Sequence, residues 1–402
     1  MARFQRVARP GEAQRATSLE LFYDLVFVFA VTQVARLLYH DLSWTGSARA
    51  LLVLLVVWWA WNFTTWVTNE LDPDSAVVRL LILAIMFASL LMAVAIPNAF
   101  GDRALLFAGA YVTIQVGRHT FLTFAASDAG TLARARAAAI LTWMVAAGTF
   151  WLAGALAGAD ERTWLWLAAL AVDYSGPTCT FWVPGRGRLA PSSWTVETSH
   201  FAERFQLFII IALGESIVVT GATTASLNLD AAVMTAFALA FVSSATLWWL
   251  YFDYVAPIAE LRLELSGADR TRLARDGFTY LHIILVAGII LAAVGDEFVI
   301  AAPSHVLPWP EIAVVVAGPA VYLAGHVLFR LRMARTLGRR RLLGTIGCIA
   351  LAAVGPFVPA LVLAALLVCV LIAVIGSELL AGARRRAGGE PSPLERLAAR
   401  AS

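Results

Sequence analysis

From Ser18 to Ala381 the chain alternates apolar runs with short polar breaks, and most runs match one membrane crossing in length. Twelve runs predict twelve helices. Six fall near 18–38, 48–68, 77–97, 104–124, 137–157 and 163–182, and six near 201–222, 231–255, 277–300, 311–331, 342–358 and 360–381. Asp173 and Ser175-Gly176-Pro177 interrupt the sixth run, which predicts a short or broken helix. The expected organisation is a tail over 1–17, a membrane half over 18–183, a polar linker over 184–200, a second membrane half over 201–381, and a disordered tail over 382–402.

Composition agrees with the pattern. The 402 residues are 60% hydrophobic and 14% charged, against about 25% charged in ordinary soluble domains. Mean hydropathy is +0.77. The fold class expected is all-α, a polytopic integral membrane protein with the lipid bilayer as its main partner. A formal charge of +3 gives no basis for a nucleic-acid partner. Cys179, Cys348 and Cys369 are scattered, so neither a metal site nor a disulfide framework is expected. Arg3, Arg6, Arg9 and Arg15 precede the first run with no A-x-A-type cleavage site, so that run is expected to stay in the protein.

Arginine placement predicts orientation. All 30 basic residues are arginine. With the N-terminus in the cytoplasm and twelve crossings, 24 arginines fall on the cytoplasmic side, including six in 330–341 and five in the C-terminal tail. Only Arg36, Arg49, Arg103 and Arg162 fall on the other side, and Arg118 and Arg204 lie within runs. This asymmetry predicts cytoplasmic N- and C-termini.

Two helices carry acids where the bilayer disfavours them. Glu20 and Asp24 lie four residues apart in the first run, about 40° apart around a helix, and so share a face. The seventh run carries Glu203 and Glu215. A charge at the centre of a spanning helix costs roughly 2.5–3.5 kcal/mol, so such acids are expected to meet protein or water. The halves also align with each other. Glu20-Leu21-Phe22 matches Glu203-Arg204-Phe205, and in this register Thr32 is equivalent to Glu215. Trp58-Trp59-Ala60-Trp61 matches Trp248-Trp249-Leu250-Tyr251, and the fourth run of each half carries His119 or His326. Six spans per half is even, which predicts two parallel six-helix repeats.

Both acidic helices resemble the low temperature requirement protein A (LtrA) family of bacterial membrane proteins. The family's E-L-F-x-D-L-V-F-V pattern reads here from Glu20 to Val28, and its E-R-F-x-L-F-I-I-x-L-G-E-S-I pattern reads here from Glu203 to Ile217, with Ala212 before Leu213. The resemblance implies a bacterial inner-membrane protein, named for growth in the cold. A weaker likeness is to a potassium-channel family, bacterial and lysosomal, that also has two six-span repeats. Its Phe-Ser-Asp motif precedes a threonine by eight residues; here Phe22-Tyr23-Asp24 precedes Thr32, with Tyr23 in place of Ser and Leu207 at the equivalent aspartate position of the second half.

Each candidate has two readings. Glu20 and Asp24 either serve the positive end of a helix dipole and pair with Arg204 or Arg118, or with Glu203 form a cation- or proton-attracting entrance. Glu215 lies 14 residues into its run, about 21 Å along the axis, between Gly214 and Ser216. It is either an intramembrane proton or cation site or a packing acid with a buried partner. Thr32 and Ser216 are the small polar neighbours of the path. Arg118, His119, Arg204, His326, Asn62 and Asp253 are the candidate polar partners. His282, near the start of the ninth run, is expected to be a packing histidine. The tryptophans are expected at the interface or in packing, and Asp173, Asp296 and Glu297 at span ends. No G-x-S-x-G, Walker A, Rossmann or Cys–His motif occurs, so neither an enzyme nor a cofactor is expected. Two functions remain open: movement of a small cation, proton or ion-coupled solute, or a non-transporting role at low temperature in which the acids lock helix to helix.

Overall fold

The computed structural model describes residues 15–128, 131–189 and 196–399. The N-terminal tail up to residue 14, with Arg3, Arg6 and Arg9, and linker residues 190–195 lie outside them. The described chain is helical, with no strand among the described residues and one isolated bridge between Val183 and Gly187. It divides into two compact units, Met1–Leu37 with Ala48–Arg204, and Leu38–Ser47 with Phe205–Ser402.

The first unit contains most of α1 (Ser18–His40), with α2 (Trp44–Thr68), α3 (Ala76–Ala95), α4 (Ala104–Phe121), α5 (Leu132–Leu156) and α6 (Ala159–Thr178). Consecutive helices from α3 to α6 pack side by side. Thr131 caps α5 by accepting from the Arg134 amide at 3.2 Å. Despite the expected break, α6 runs through Asp173 and Gly176 and ends at Thr178, with Pro177 in its last turn. Trp58, Trp59 and Trp61 are fully buried, so the first Trp-rich run belongs to the core and not to an interfacial belt.

Helix α7 (Thr198–Ala225) opens in the first unit and continues in the second. Thr198 lies inside the stretch read as a linker, so His200 is already helical. The second unit adds α8 (Ala231–Leu250), α9 (Ala256–Glu264), α10 (Arg270–Leu273), α11 (His282–Ala301), α12 (Trp309–Ala334), α13 (Arg339–Leu351), α14 (Ala360–Ala387) and α15 (Pro393–Ala399). Asp230 caps α8 by accepting from the Val233 amide at 2.8 Å. Past 382, where composition predicts a disordered tail, α14 completes its last turns and α15 follows.

The closest packing in this unit joins α11 to α12. A Cβ on Gly288 would lie 2.6 Å from the Tyr322 nitrogen, and one on Gly318 would lie 2.5 Å from the Ala292 nitrogen. Only glycine lets the backbones approach this far. Wider turns interrupt three helical paths: π-helical segments span Leu122–Ala126, Tyr251–Val255 and Ala274–Leu281.

Helices stand at all twelve expected places, and nine helical stretches among the described residues are long and apolar enough to cross a membrane. Those outside the nine are α4, α6 and α13. At 13 residues, α13 is about 20 Å long, short of a hydrocarbon core of about 30 Å.

Candidate functional site

The first unit concentrates ionisable side chains. Glu20, Asp24, Arg118, Asp173, His200 and Arg204 are each at most 4% exposed. Two clusters and a relay hold them.

The first cluster begins as a capping box at the start of α1. Thr17 Oγ1 accepts from the Glu20 amide at 3.3 Å, and a Glu20 carboxylate oxygen accepts from the Thr17 amide at 2.9 Å. The same carboxylate takes the Thr17 hydroxyl at 2.9 Å and faces His200 Nε2, which lies 3.1 Å from Oε2 and 3.0 Å from Oε1. His200 Nδ1 lies 3.2 Å from Asn69 Oδ1. The neighbouring Glu203 carboxylate accepts from the Ala16 amide at 2.8 Å.

One turn along α1, Asp24 meets Arg204 through two parallel bonds. Nη1 donates to Oδ2 at 2.6 Å and Nη2 to Oδ1 at 2.7 Å. Trp61 Nε1 donates to Oδ1 at 2.9 Å, and the Arg204 guanidinium lies 5.8 Å from the Trp61 ring centre. This fork suits a planar guanidinium and is the stronger kind of charge-assisted bond. Trp61, on α2, is therefore tied to a buried acid of α1.

Arg118 starts the relay. Its guanidinium does not meet Glu20 or Asp24 directly. It donates to Thr64 Oγ1 at 2.7 Å and to Gln115 Oε1, and lies 5.7 Å from the Phe63 ring centre. Gln115 Nε2 donates to the Tyr111 hydroxyl at 3.1 Å, which donates to Asp173 Oδ2 at 2.8 Å. Trp151 Nε1 donates to the same oxygen at 2.9 Å. Asp173 is thus a core acid and not a span-end one. Two neutral side chains connect its charge to that of Arg118. His119 Nδ1 donates to the Gln115 carbonyl at 3.0 Å, which makes Nε2 the acceptor nitrogen. His119 lines a cavity of about 40 Å³ with Phe63, Trp66 and the ion pair of Glu70 and Arg136. That volume holds about three waters or a bare ion, not an organic solute.

In the second unit, Glu215 is fully buried on α7. Ser216 shares a 2.8 Å hydroxyl–hydroxyl bond with Ser244 of α8. Thr220 donates to the Ser216 carbonyl and Thr224 to the Thr220 carbonyl, each at 2.7 Å. Thr223 donates to Glu297 at 3.2 Å. Hydroxyls thus recur along α7 from Ser216 to Thr224. His282, buried, presents Nε2 to the Tyr251 hydroxyl at 2.8 Å and Nδ1 to the Gly277 carbonyl at 3.2 Å. His326 Nδ1 accepts from Arg341 at 2.6 Å, and Arg341 donates two 3.0 Å bonds to Glu378.

These features occur in a chain whose residues 15–376 match the family described as bacterial low temperature requirement A protein (LtrA). The chain belongs to the LtrA family. This LtrA-family chain is also similar to a protein of Rhizobium meliloti (strain 1021), called Uncharacterized protein RA0937. The two are 37% identical over 324 residues, covering 80% of this chain and 79% of the relative. No solved structure matches it. Family and apolar helices together make it a multi-pass membrane protein.

The remaining candidates fall outside these clusters. Thr32 is half-buried and donates back to the Val28 carbonyl at 3.0 Å. Asn62 is fully buried on α2. Asp253 is exposed in a π-helical turn and meets no candidate acid. Sequence reasoning passed over His200, Asn69, Tyr111 and Trp151. The signal available for His200 was its place three residues before Glu203, on the face that Arg204 extends.

Proposed function

We propose that this LtrA-family protein moves a proton or a small cation, or a solute coupled to one, across the bacterial inner membrane, and that it is not an enzyme. The observation that carries the reading is the burial in the first unit of Glu20, Asp24, Arg118, Asp173, His200 and Arg204, each at most 4% exposed. Removing each charge from water costs several kcal/mol, and apolar packing would join the same helices at least as well. Their retention suits a protein that exchanges ions or protons. The cavity beside His119 adds a water- or ion-sized space. In the second unit, taken by itself, Glu215 and the hydroxyls that follow it on α7 are the candidate ion or proton groups.

We further propose twelve crossings in two parallel six-helix repeats, with cytoplasmic termini. Helices at all twelve places and the arginine asymmetry support this topology.

A specific observation favours the lock reading for Asp24: both its oxygens are taken by Arg204, and Trp61 adds a third bond. Flux and melting separate the two readings. The purified protein in liposomes carries a pH-sensitive dye inside and a potassium or sodium gradient across the membrane. Glu215→Gln and Asp24→Asn are each expected to cut flux at least about tenfold. Glu215→Gln is expected to melt within a few degrees of the parent. Parent-level flux in both variants, or no flux in the parent, overturns the transport reading.

A further inference from the structure

The end of α14 and the start of α13 form a site that the polar cores do not use. The two helices run antiparallel in a close register. Arg341 meets Glu378, a Cβ on Gly344 would lie 2.6 Å from Val374 Cγ2, and one on Gly347 would lie 3.6 Å from Val370 Cγ1. Steps of three residues advance α13 while the partner position recedes by four along α14. One turn beyond Arg341, this register opens a groove lined by Arg340, Ser377, Leu380, Ala381, Arg384 and Arg385.

Charge in the groove is one-sided. Arg341 turns inward, is 1% exposed, and is neutralised by Glu378. Arg340 and Arg384 are exposed, Arg385 is half-exposed, and among the described residues no carboxylate forms an ion pair with any of them. Three guanidiniums thus converge from two helices on a groove shaped by the Arg341–Glu378 fork. The groove is not polar throughout. Leu380 and Ala381 line it, and Leu343, Ile346 and Leu379 leave apolar side chains exposed along the same pair of helices. A soluble anion would use only the charged rim. A molecule with an anionic phosphate and apolar chains would use both parts.

We propose that the groove between α13 and α14 binds the phosphodiester headgroup of an anionic phospholipid, held by Arg340, Arg384 and Arg385, with its acyl chains along the exposed aliphatic side chains. The guanidiniums supply planar donors to the phosphate oxygens, while the Ser377 hydroxyl beside them donates to the Val374 carbonyl at 2.8 Å.

Native mass spectrometry of the full-length protein, released from micelles with equal phosphatidylglycerol and phosphatidylcholine, tests this. The protein is expected to retain phosphatidylglycerol about tenfold over phosphatidylcholine. The triple variant Arg340→Gln, Arg384→Gln, Arg385→Gln is expected to lose that preference. A control that removes the same charge elsewhere, Arg186→Gln, Arg188→Gln, Arg396→Gln, is expected to keep it. All six positions lie on the surface, and parent-like melting of both variants establishes that they fold. Inorganic phosphate and glycerol phosphate are added as competitors and are expected to leave retention unchanged. Equal retention of the two lipids, an unchanged preference in the groove variant, or an equal loss in the control overturns the proposal. Displacement by inorganic phosphate would make this a site for soluble phosphate and would equally overturn it.

Discussion

Trp61 in the first unit and Tyr251 in the second close the same short pattern, two tryptophans, a small or aliphatic residue and an aromatic, yet they serve opposite chemistry. Trp61 donates to a buried carboxylate that a guanidinium also grips. Tyr251 meets a buried imidazole whose other nitrogen faces a carbonyl. The preceding tryptophans differ too: Trp58 and Trp59 are fully buried, whereas Trp248 and Trp249 are 47% and 43% exposed. The first unit packs aromatics around charge. The second packs them around a histidine, keeps small residues where helices meet, and leaves two tryptophans outside. An aromatic pattern thus marks a buried polar group without saying whether that group is charged.

Variants can break or sharpen this contrast. Arg204→Met leaves Asp24 charged and buried with only Trp61 as donor, and is expected to cost about 3–5 kcal/mol. Melting in detergent measures it, and Asp24→Asn in the same chain is expected to restore part of the loss. In the second unit the largest effect should come from packing. Gly318→Leu forces a side chain against the Ala292 backbone and is expected to cost about 3 kcal/mol by the same assay. Trp61→Phe keeps the ring but removes a bond to a charged group, for an expected loss of about 2 kcal/mol in urea titration. Tyr251→Phe removes a bond between neutral groups and should cost about 1 kcal/mol. Should Tyr251→Phe cost as much as Trp61→Phe, the distinction between a bond to a charged group and a bond between neutral groups would fail.

Much of the helical framework was legible because apolar runs and their polar breaks are long-range patterns. The four-residue spacing of Glu20 and Asp24 placed both on one buried face of α1, and the run after Phe201 exposed the weight of Arg204 and Glu215. Other features were hidden for physical reasons. His200 ends a polar stretch that reads as loop, and nothing local shows that Thr198 starts a helix. Asp173 sits three residues before Gly-Pro, so it reads as a span end, while its donors Tyr111 and Trp151 pass for ordinary apolar aromatics. Thr17 and Glu20 form a capping box spelled out at a three-residue spacing, but the apolar run that begins there draws the eye to membrane depth instead of helix chemistry. The partners of a buried acid come from distant helices, and one sequence does not say which helices adjoin.

The glycines between α11 and α12 carry a mechanical consequence. Gly288 abuts Tyr322 and Gly318 abuts Ala292, backbone against backbone, so neither helix can slide or roll without driving main-chain atoms together. The two therefore behave as a single stiff plank. Rearrangement within the second unit must be hinged elsewhere, and the wide turns at Tyr251–Val255 and Ala274–Leu281 are where its helices have slack to give.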